Sequence, residues 1–308
     1  MTLVMSYICD RFALQVSDRR LSRGGSPLPD EYNKAVVWCA HALVGYTGFA
    51  FVDRRQRSPQ DQVDEWIVET LFRRKNIREV MQALEQEAPT WVNAMPGPWR
   101  PQAFSLVGWA PQPDATVRPF AGLVSNFHGE RGEIRATSTE EFSRRVVFPP
   151  PGQWFMSQVG EPLLPSELRA VKGGLRRLDA QGAGPDRVAD LLMAVLALVS
   201  SRAAGRVGTT AMVSCLPPPE IEPVEAVLLT ERRGRPTLHH PSFFYRGPDP
   251  DSVTAFGPHL VCGENAWSEP SVEYFNESGS DMRVSATLRG PKDKAEGRGT
   301  AQTNMPNA

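Results

Sequence analysis

The sequence predicts an α+β protein in which strands and helices come in blocks rather than in alternation. Two observations carry this expectation. Apolar runs with strand character fill residues 2–17 and 34–47, and helix-period patterns follow them. The same succession then returns: strand-like runs from 103 to 148, two helical patterns to 202, and one more strand. Segregated runs of this kind favour a layered α+β fold over a doubly wound one.

Thr2 to Cys9 reads as a strand, Asp10-Arg11 as a turn, and Phe12 to Ser17 as the second arm of a hairpin. Ser22 to Pro29, with Gly24-Gly25 and two prolines, reads as a loop. Strands are expected at Lys34–Ala40 and Ala42–Thr47, the second ending at Gly48. Ser58-Pro59 is a helix start, Ser as N-cap and Pro in the first turn. Val63, Trp66, Ile67, Thr70 and Leu71 then mark one helical face. Asn76 and Glu79 form a capping-box pattern for a second helix through Val80, Met81 and Leu84.

Met95-Pro96-Gly97-Pro98 resets the chain, and strands follow at Ala103–Trp109, Val117–Ser125 and Arg145–Phe148. Helices fit Pro165–Leu178 and Pro185–Arg202, the second apolar enough to read as an inner helix. Gly208–Leu216 is another strand. These elements make one domain over residues 2–216. A C-terminal extension, 217–289, carries strand candidates at Ala226–Leu229, His259–Cys262 and Val272–Phe275. Residues 290–308 are polar and Gly-rich, and read as a disordered tail.

The 308 residues carry 34 basic and 35 acidic side chains, a net charge of −1. That balance gives no electrostatic reason for a nucleic-acid or anionic-membrane partner. Cys9, Cys39, Cys215 and Cys262 form no C-x-x-C pair, so they read as reduced thiols of a cytoplasmic protein. Asp10 and Arg11 interrupt the first apolar stretch, so it reads as neither signal peptide nor membrane span. His239-His240, His259 and Cys262 lack the paired spacing of a structural zinc site, and no metal is expected. Lys172-Gly173-Gly174 has its lysine on the wrong side of the glycines for a phosphate loop.

A threonine at a chain's N-terminus can supply nucleophile and base together, through its hydroxyl and its α-amine. The reference pKa of an α-amine, about 7.7–8.0, suits proton transfer near neutrality. A buried cation, a carboxylate to hold it and a backbone N–H for the oxyanion would complete such a site. The sequence has candidates at fixed spacing from Thr2: Asp18 lies 16 residues on, Arg20 18, Lys34 32 and Gly48 46. Ser22 follows at 20 and Ala50 at 48.

These positions make the chain resemble the proteasome β-subunit family of N-terminal-nucleophile hydrolases. The likeness is greatest to the propeptide-free bacterial members, the heat-shock peptidase and the Anbu proteins. The resemblance covers residues 2–216 and is densest over the first 75. It implies a four-layer αββα sandwich, two sheets between two helical layers. It also implies Thr2 as nucleophile after Met1 removal, Lys34 tuning its amine, Asp18 anchoring Lys34, and the Gly48 N–H as oxyanion donor. Arg20, Ser22, Tyr46 and Ala50 fall where the family meets substrate, and Tyr32, Val36 and Arg54 where it lines the specificity pocket. Tyr46 is read equally as pocket floor and as core.

The expected activity is hydrolysis of peptide or other amide bonds, without a cofactor, in a homo-oligomer; any unfoldase partner is left open. A Lys34→Ala change is expected to remove turnover with the fold retained. The family also supports its nucleophile from the second half of the chain, with a Ser turn and an Asp-x-x-Ser-Gly segment. Here the corresponding stretches are Ser157-Gln158-Val159-Gly160 and Ser200 to Gly208, and the second contains no Asp. That departure keeps a second reading open, a catalytically silent interaction subunit of the same fold.

Overall fold

In the computed structural model, residues 2–23, 26–27, 34–38, 41–53, 62–71, 74–111, 116–129, 132–209, 211–216 and 218 are described, with strand segments beyond. For 22–23, 26–27 and the strands beyond 218 the backbone alone is described. The protein is a mixed α+β structure. In chain order it forms β1 (Leu3–Cys9), β2 (Phe12–Asp18), β3 (Ser22–Arg23), β4 (Ser26–Pro27), β5 (Ala35–Trp38) and β6 (Ala42–Thr47). Helices α1 (Val63–Leu71) and α2 (Ile77–Val92) follow, then β7 (Ala103–Pro111), β8 (Val117–Ser125), β9 (Ser143–Val147) and β10 (Phe155–Gly160). Next come α3 (Pro165–Ala180), α4 (Pro185–Arg202), β11 (Ala211–Leu216) and β12 (Leu228–Arg232). The remaining strands are β13 (Phe244–Arg246), β14 (Val253–Phe256), β15 (His259–Cys262), β16 (Ala266–Tyr274), β17 (Met282–Arg289) and β18 (Ala301–Gln302).

Two large sheets result. One has the order β10-β1-β2-β11-β12 and is antiparallel throughout. The other runs β13-β14-β16-β15-β5-β6-β7-β8-β9, with β17 and β18 added beyond β16. It is antiparallel except where β15 lies parallel to β5, His259 opposite Val36. Strands β1 and β2 are buried along their whole length, because both of their faces are covered. Leu3, Met5, Tyr7, Leu14 and Val16 meet Val171, Leu175, Leu192 and Val199 of α3 and α4. On the opposite face, Ile8, Ala13 and Leu216 meet Val37, Leu43, Val107 and Ala121 of the second sheet. That sheet's far side, with Val44, Tyr46, Phe104 and Val124, meets Val63, Ile67, Val80 and Leu84 of α1 and α2. Alternation along each strand thus feeds two apolar interfaces at once.

Most expected elements stand within a residue or two of their predicted ends. Asn76 caps α2 as expected, accepting from the Glu79 N–H at 3.0 Å. The expected helix start at Ser58-Pro59 lies outside the described residues, as do Cys39, Tyr32, Arg54, His239 and His240. Four differences have physical reasons. First, β10 was not foreseen as a strand; its residues are only half-buried, except near Gly160, so no strong alternation marks it. Second, Ser22–Arg23 and Ser26–Pro27 pair as a short hairpin within the expected loop. Third, α4 is not an inner helix: Val188, Leu192, Leu196 and Val199 are buried, whereas Leu198 faces solvent. Fourth, in the expected tail Ala301–Gln302 pairs with β17, and the rest of 290–308 lies outside the described residues. Cys9 and Cys215 are buried free thiols. No helix among the described residues is long and apolar enough to cross a membrane.

His128 makes the stability of this fold pH-dependent. Its ring lies against Phe127, centroids 4.2 Å apart, and its Nδ1 shares a 2.8 Å hydrogen bond with Ser125 Oγ. Burial lowers its pKa to about 4 from 6.5, against a smaller raising effect of Glu133. The folded value lies below the unfolded one, so the contribution is present above pH 6.5 and is lost as pH falls towards 4. A shift of this size corresponds to about 3 kcal/mol at most. Urea unfolding at pH 7 and pH 4 should therefore show a smaller loss in His128→Gln than in the wild type. Identical losses would remove His128 as a source of acid lability.

Candidate functional site

The site begins with the hairpin β1–β2, whose register sets Val4 opposite Ser17. Thr2 precedes the first strand and Asp18 ends the second, so both residues lie at the open end of the hairpin. Asp18 is fully buried and accepts three backbone N–H groups. Leu3 donates to its Oδ1 at 2.8 Å; Arg20 and Gly208 donate to its Oδ2 at 3.2 and 3.0 Å. Lys34, just before β5, reaches across from the other sheet. Its Nζ lies 2.7 Å from Thr2 Oγ1 and 3.5 Å from Asp18 Oδ2, and it also donates to the Arg20 carbonyl. Lys34 and Asp18 are 0 % exposed and Thr2 is 5 % exposed. Burial pushes the Asp18 carboxyl up from its ordinary value, while the Lys34 charge and the Gly208 and Leu3 N–H groups pull it down.

Two further elements hold Thr2 by its carbonyl. The N–H of Glu161 donates to Thr2 O at 2.9 Å, and Thr47 Oγ1 donates to the same oxygen at 3.2 Å. Glu161 follows β10, where Leu3 pairs with Gly160. Gly160 has φ +96°, and a Cβ there would stand 1.7 Å from Thr2 O. Only glycine allows this approach. Gly48 follows β6 with φ +119°, and a Cβ there would stand 2.2 Å from Pro101 O and 2.3 Å from Gln102 Oε1. It adjoins Thr47, so it stands one residue from a direct contact with Thr2.

The sequence-predicted residues therefore divide. Lys34 is in direct contact with both Thr2 and Asp18, the Arg20 backbone joins them, and Gly48 is tied in through Thr47. Ala50 is half-buried, and its carbonyl accepts from the Val63 N–H at 2.9 Å, so it braces the start of α1. Tyr46 is buried among Ile67, Phe104 and Val124, beneath α1 and α2. Val36 belongs to the same cluster. Ser22 pairs with Pro27 in the short hairpin, and only its backbone is described.

The stretches expected to support Thr2 do so in an unforeseen way. Ser157 pairs with Ser6, four residues along β1 from Thr2, and its Oγ is buried without a partner. From the 200–208 stretch, the Gly208 N–H reaches Asp18, while Ser200 Oγ donates to Val207 O at 2.9 Å. Arg202 and Arg206 turn to Glu161, at 3.4 and 3.0 Å, and Arg202 also reaches Glu167 at 2.8 Å. The buried Glu161 thus holds Thr2 O with its N–H and the end of α4 with its carboxylate. Thr47, Glu161 and Gln102 were missed from sequence. Thr47 adjoins Gly48 but reads as the last residue of a strand, and Glu161 carries no motif. Gly160 and Gly208 lay within singled-out stretches, without a role of their own.

Chemically, the arrangement sets a cation on a threonine hydroxyl, a carboxylate behind the cation, and a positive-φ glycine one residue away. The chain matches no known protein-family model, and no curated protein matches it.

Proposed function

We propose that the chain is a threonine-type N-terminal-nucleophile hydrolase of proteasome-like, four-layer αββα fold that cleaves peptide or other amide bonds. The observation that carries this reading is the contact of Lys34 Nζ with Thr2 Oγ1 at 2.7 Å, with Asp18 at 3.5 Å behind it. Burying a lysine beside a hydroxyl is costly unless the cation has work to do or a strong partner. The packing of a helix pair on the outer face of each sheet, with the sheets face to face, supports the four-layer arrangement.

In this mechanism Met1 is removed and Thr2 gains a free amine. Lys34 donates to Oγ1, so the hydroxyl proton points away from it and towards that amine. Oγ1 attacks the amide carbonyl as the amine takes the proton. Lys34 stabilises the oxygen while it carries negative charge and disfavours protonation of the amine before attack. The Gly48 N–H faces the tetrahedral oxyanion. The protonated amine then gives its proton to the leaving nitrogen as the C–N bond breaks. Water, deprotonated by the amine, attacks the ester, and its collapse frees the acid and returns the Thr2 hydroxyl. Every step uses groups of this chain and water. By resemblance, the protein works as a cytoplasmic homo-oligomer.

A silent interaction subunit of the same fold is the competing reading. Its support is specific: the 200–208 stretch brings a backbone N–H to the site where the family brings a carboxylate. Intact-mass analysis, followed by labelling with a peptidyl β-lactone, separates the two. The hydrolase reading expects a chain lacking Met1 and one adduct on Thr2, lost in Thr2→Ala. Retained Met1, or equal labelling of Thr2→Ala, would reject it.

A further inference from the structure

Gly48 stands between two tethers. On one side Thr47 Oγ1 binds the Thr2 carbonyl. On the other, the Phe49 N–H donates to Gln102 Oε1 at 2.7 Å. Gln102 is itself immobilised. It is 0 % exposed, its N–H donates to Asn126 Oδ1 at 2.9 Å, and its carbonyl accepts from the Asn126 N–H at 3.2 Å. Asn126 is held in turn by the carbonyls of Arg100 and Thr139, at 2.8 and 3.1 Å. The Gln102 amide also fills the space that a Cβ on Gly48 would need. A buried glutamine whose Nε2 finds no partner is costly to keep as packing alone.

The geometry points to Gln102 as the positioning residue for the Gly48 N–H. This inference rests on the hydrolase reading and extends it. A glycine at φ +119° has wide backbone freedom, and a mobile N–H is a poor oxyanion donor, because the donor must be oriented before the charge develops. Gln102 pins the following peptide unit and Thr47 the preceding residue. The donor is thereby held in register with the nucleophile. Gln102 touches neither substrate nor reacting atoms; it acts through the backbone of Phe49.

Two electrophiles separate this role from simple bracing of the fold. Attack of Thr2 Oγ1 on a peptidyl β-lactone passes through an acyl oxyanion before the ring C–O bond breaks and the alkoxide takes the proton. Addition of Oγ1 to a peptidyl vinyl sulfone puts the developing charge on the carbon beside the sulfone, which is then protonated, and forms no acyl oxyanion. Gln102→Met removes the acceptor at nearly constant volume. It should slow β-lactone labelling about 10- to 100-fold, as expected for a misplaced group at a reacting centre. Vinyl sulfone labelling should change less than about threefold. Gln102→Asn, too short to reach Phe49, should show the same selective loss. Gln102→Glu keeps an acceptor oxygen and should restore β-lactone labelling to within about threefold of wild type. Equal loss with both electrophiles, or no loss with either, would overturn the role. A wild-type protein labelled by neither would instead sink the hydrolase reading, and this role with it.

Discussion

Lys34→Met is expected to slow acylation of Thr2 by about 10³-fold, the scale of losing a group that assists proton transfer. The Lys34 ammonium serves three acceptors at once: Thr2 Oγ1, Asp18 Oδ2 and the Arg20 carbonyl. Methionine fills the volume and satisfies none of them. Sequence alone predicts loss of turnover with the fold retained, but the burial of the pair adds a stability cost. Breaking a buried ion pair from one side costs about 3–5 kcal/mol, because the other charge stays behind. Three backbone N–H donors to Asp18 soften that cost without removing it.

The sign of the pH effect follows from Asp18. Burial already raises its folded pKa, and loss of Lys34 removes the largest opposing influence. A carboxyl whose folded pKa lies above its unfolded value contributes fully below the unfolded value. It loses that contribution as pH rises through the folded one. Urea unfolding should therefore show a larger deficit of Lys34→Met against wild type at pH 8 than at pH 5. A deficit that is equal at both pH values would mean that Asp18 is not left charged and buried. Undiminished β-lactone labelling would take Lys34 out of the mechanism.

Gly160→Ala carries the second large effect. At φ +96° an alanine costs about 1–3 kcal/mol in backbone strain alone. Its Cβ would also meet the Thr2 carbonyl at 1.7 Å, and neither partner is a flexible side chain. Relief requires Thr2 to retreat by more than about 1 Å, a displacement that costs on the order of 100-fold in rate. The bonds from Glu161 N and Thr47 Oγ1 would break with it. Gly152→Ala is the matched control: φ is +73°, but nothing lies within 4 Å of the added atom. Strain without collision should leave labelling of Thr2 unchanged there, while Gly160→Ala loses it. Equal labelling of the two variants would show that the end of β1 yields freely.

The hairpin β1–β2, the strands β6 to β8 and the helices α2 to α4 were readable because local signals mark them: alternation, a capping Asn76, and prolines at helix starts. Thr2, Asp18 and Lys34 were readable together because the resemblance names all three by their spacing from Thr2. The hairpin accounts for Asp18, whereas Lys34 reaches across from the other sheet. What could not be read are contacts made through backbone atoms. Glu161 holds Thr2 by its N–H, which any residue type could supply. Gly208 reaches Asp18 in the same way. The second half of the chain thus meets Asp18 and Thr2 through backbone N–H groups. The β15–β5 pairing, parallel and between segments far apart in sequence, leaves no local trace either.

The bond between Gly208 N and Asp18 joins positions 190 residues apart. Closing so long a loop is entropically expensive, and such contacts form late in folding. A chain emerging from the ribosome can gain the third N–H on Asp18 only after residue 208 has cleared the exit. Until then the carboxylate lacks one of its three N–H donors. The hydrogen bonding around Asp18 is thus completed only by the second half of the chain.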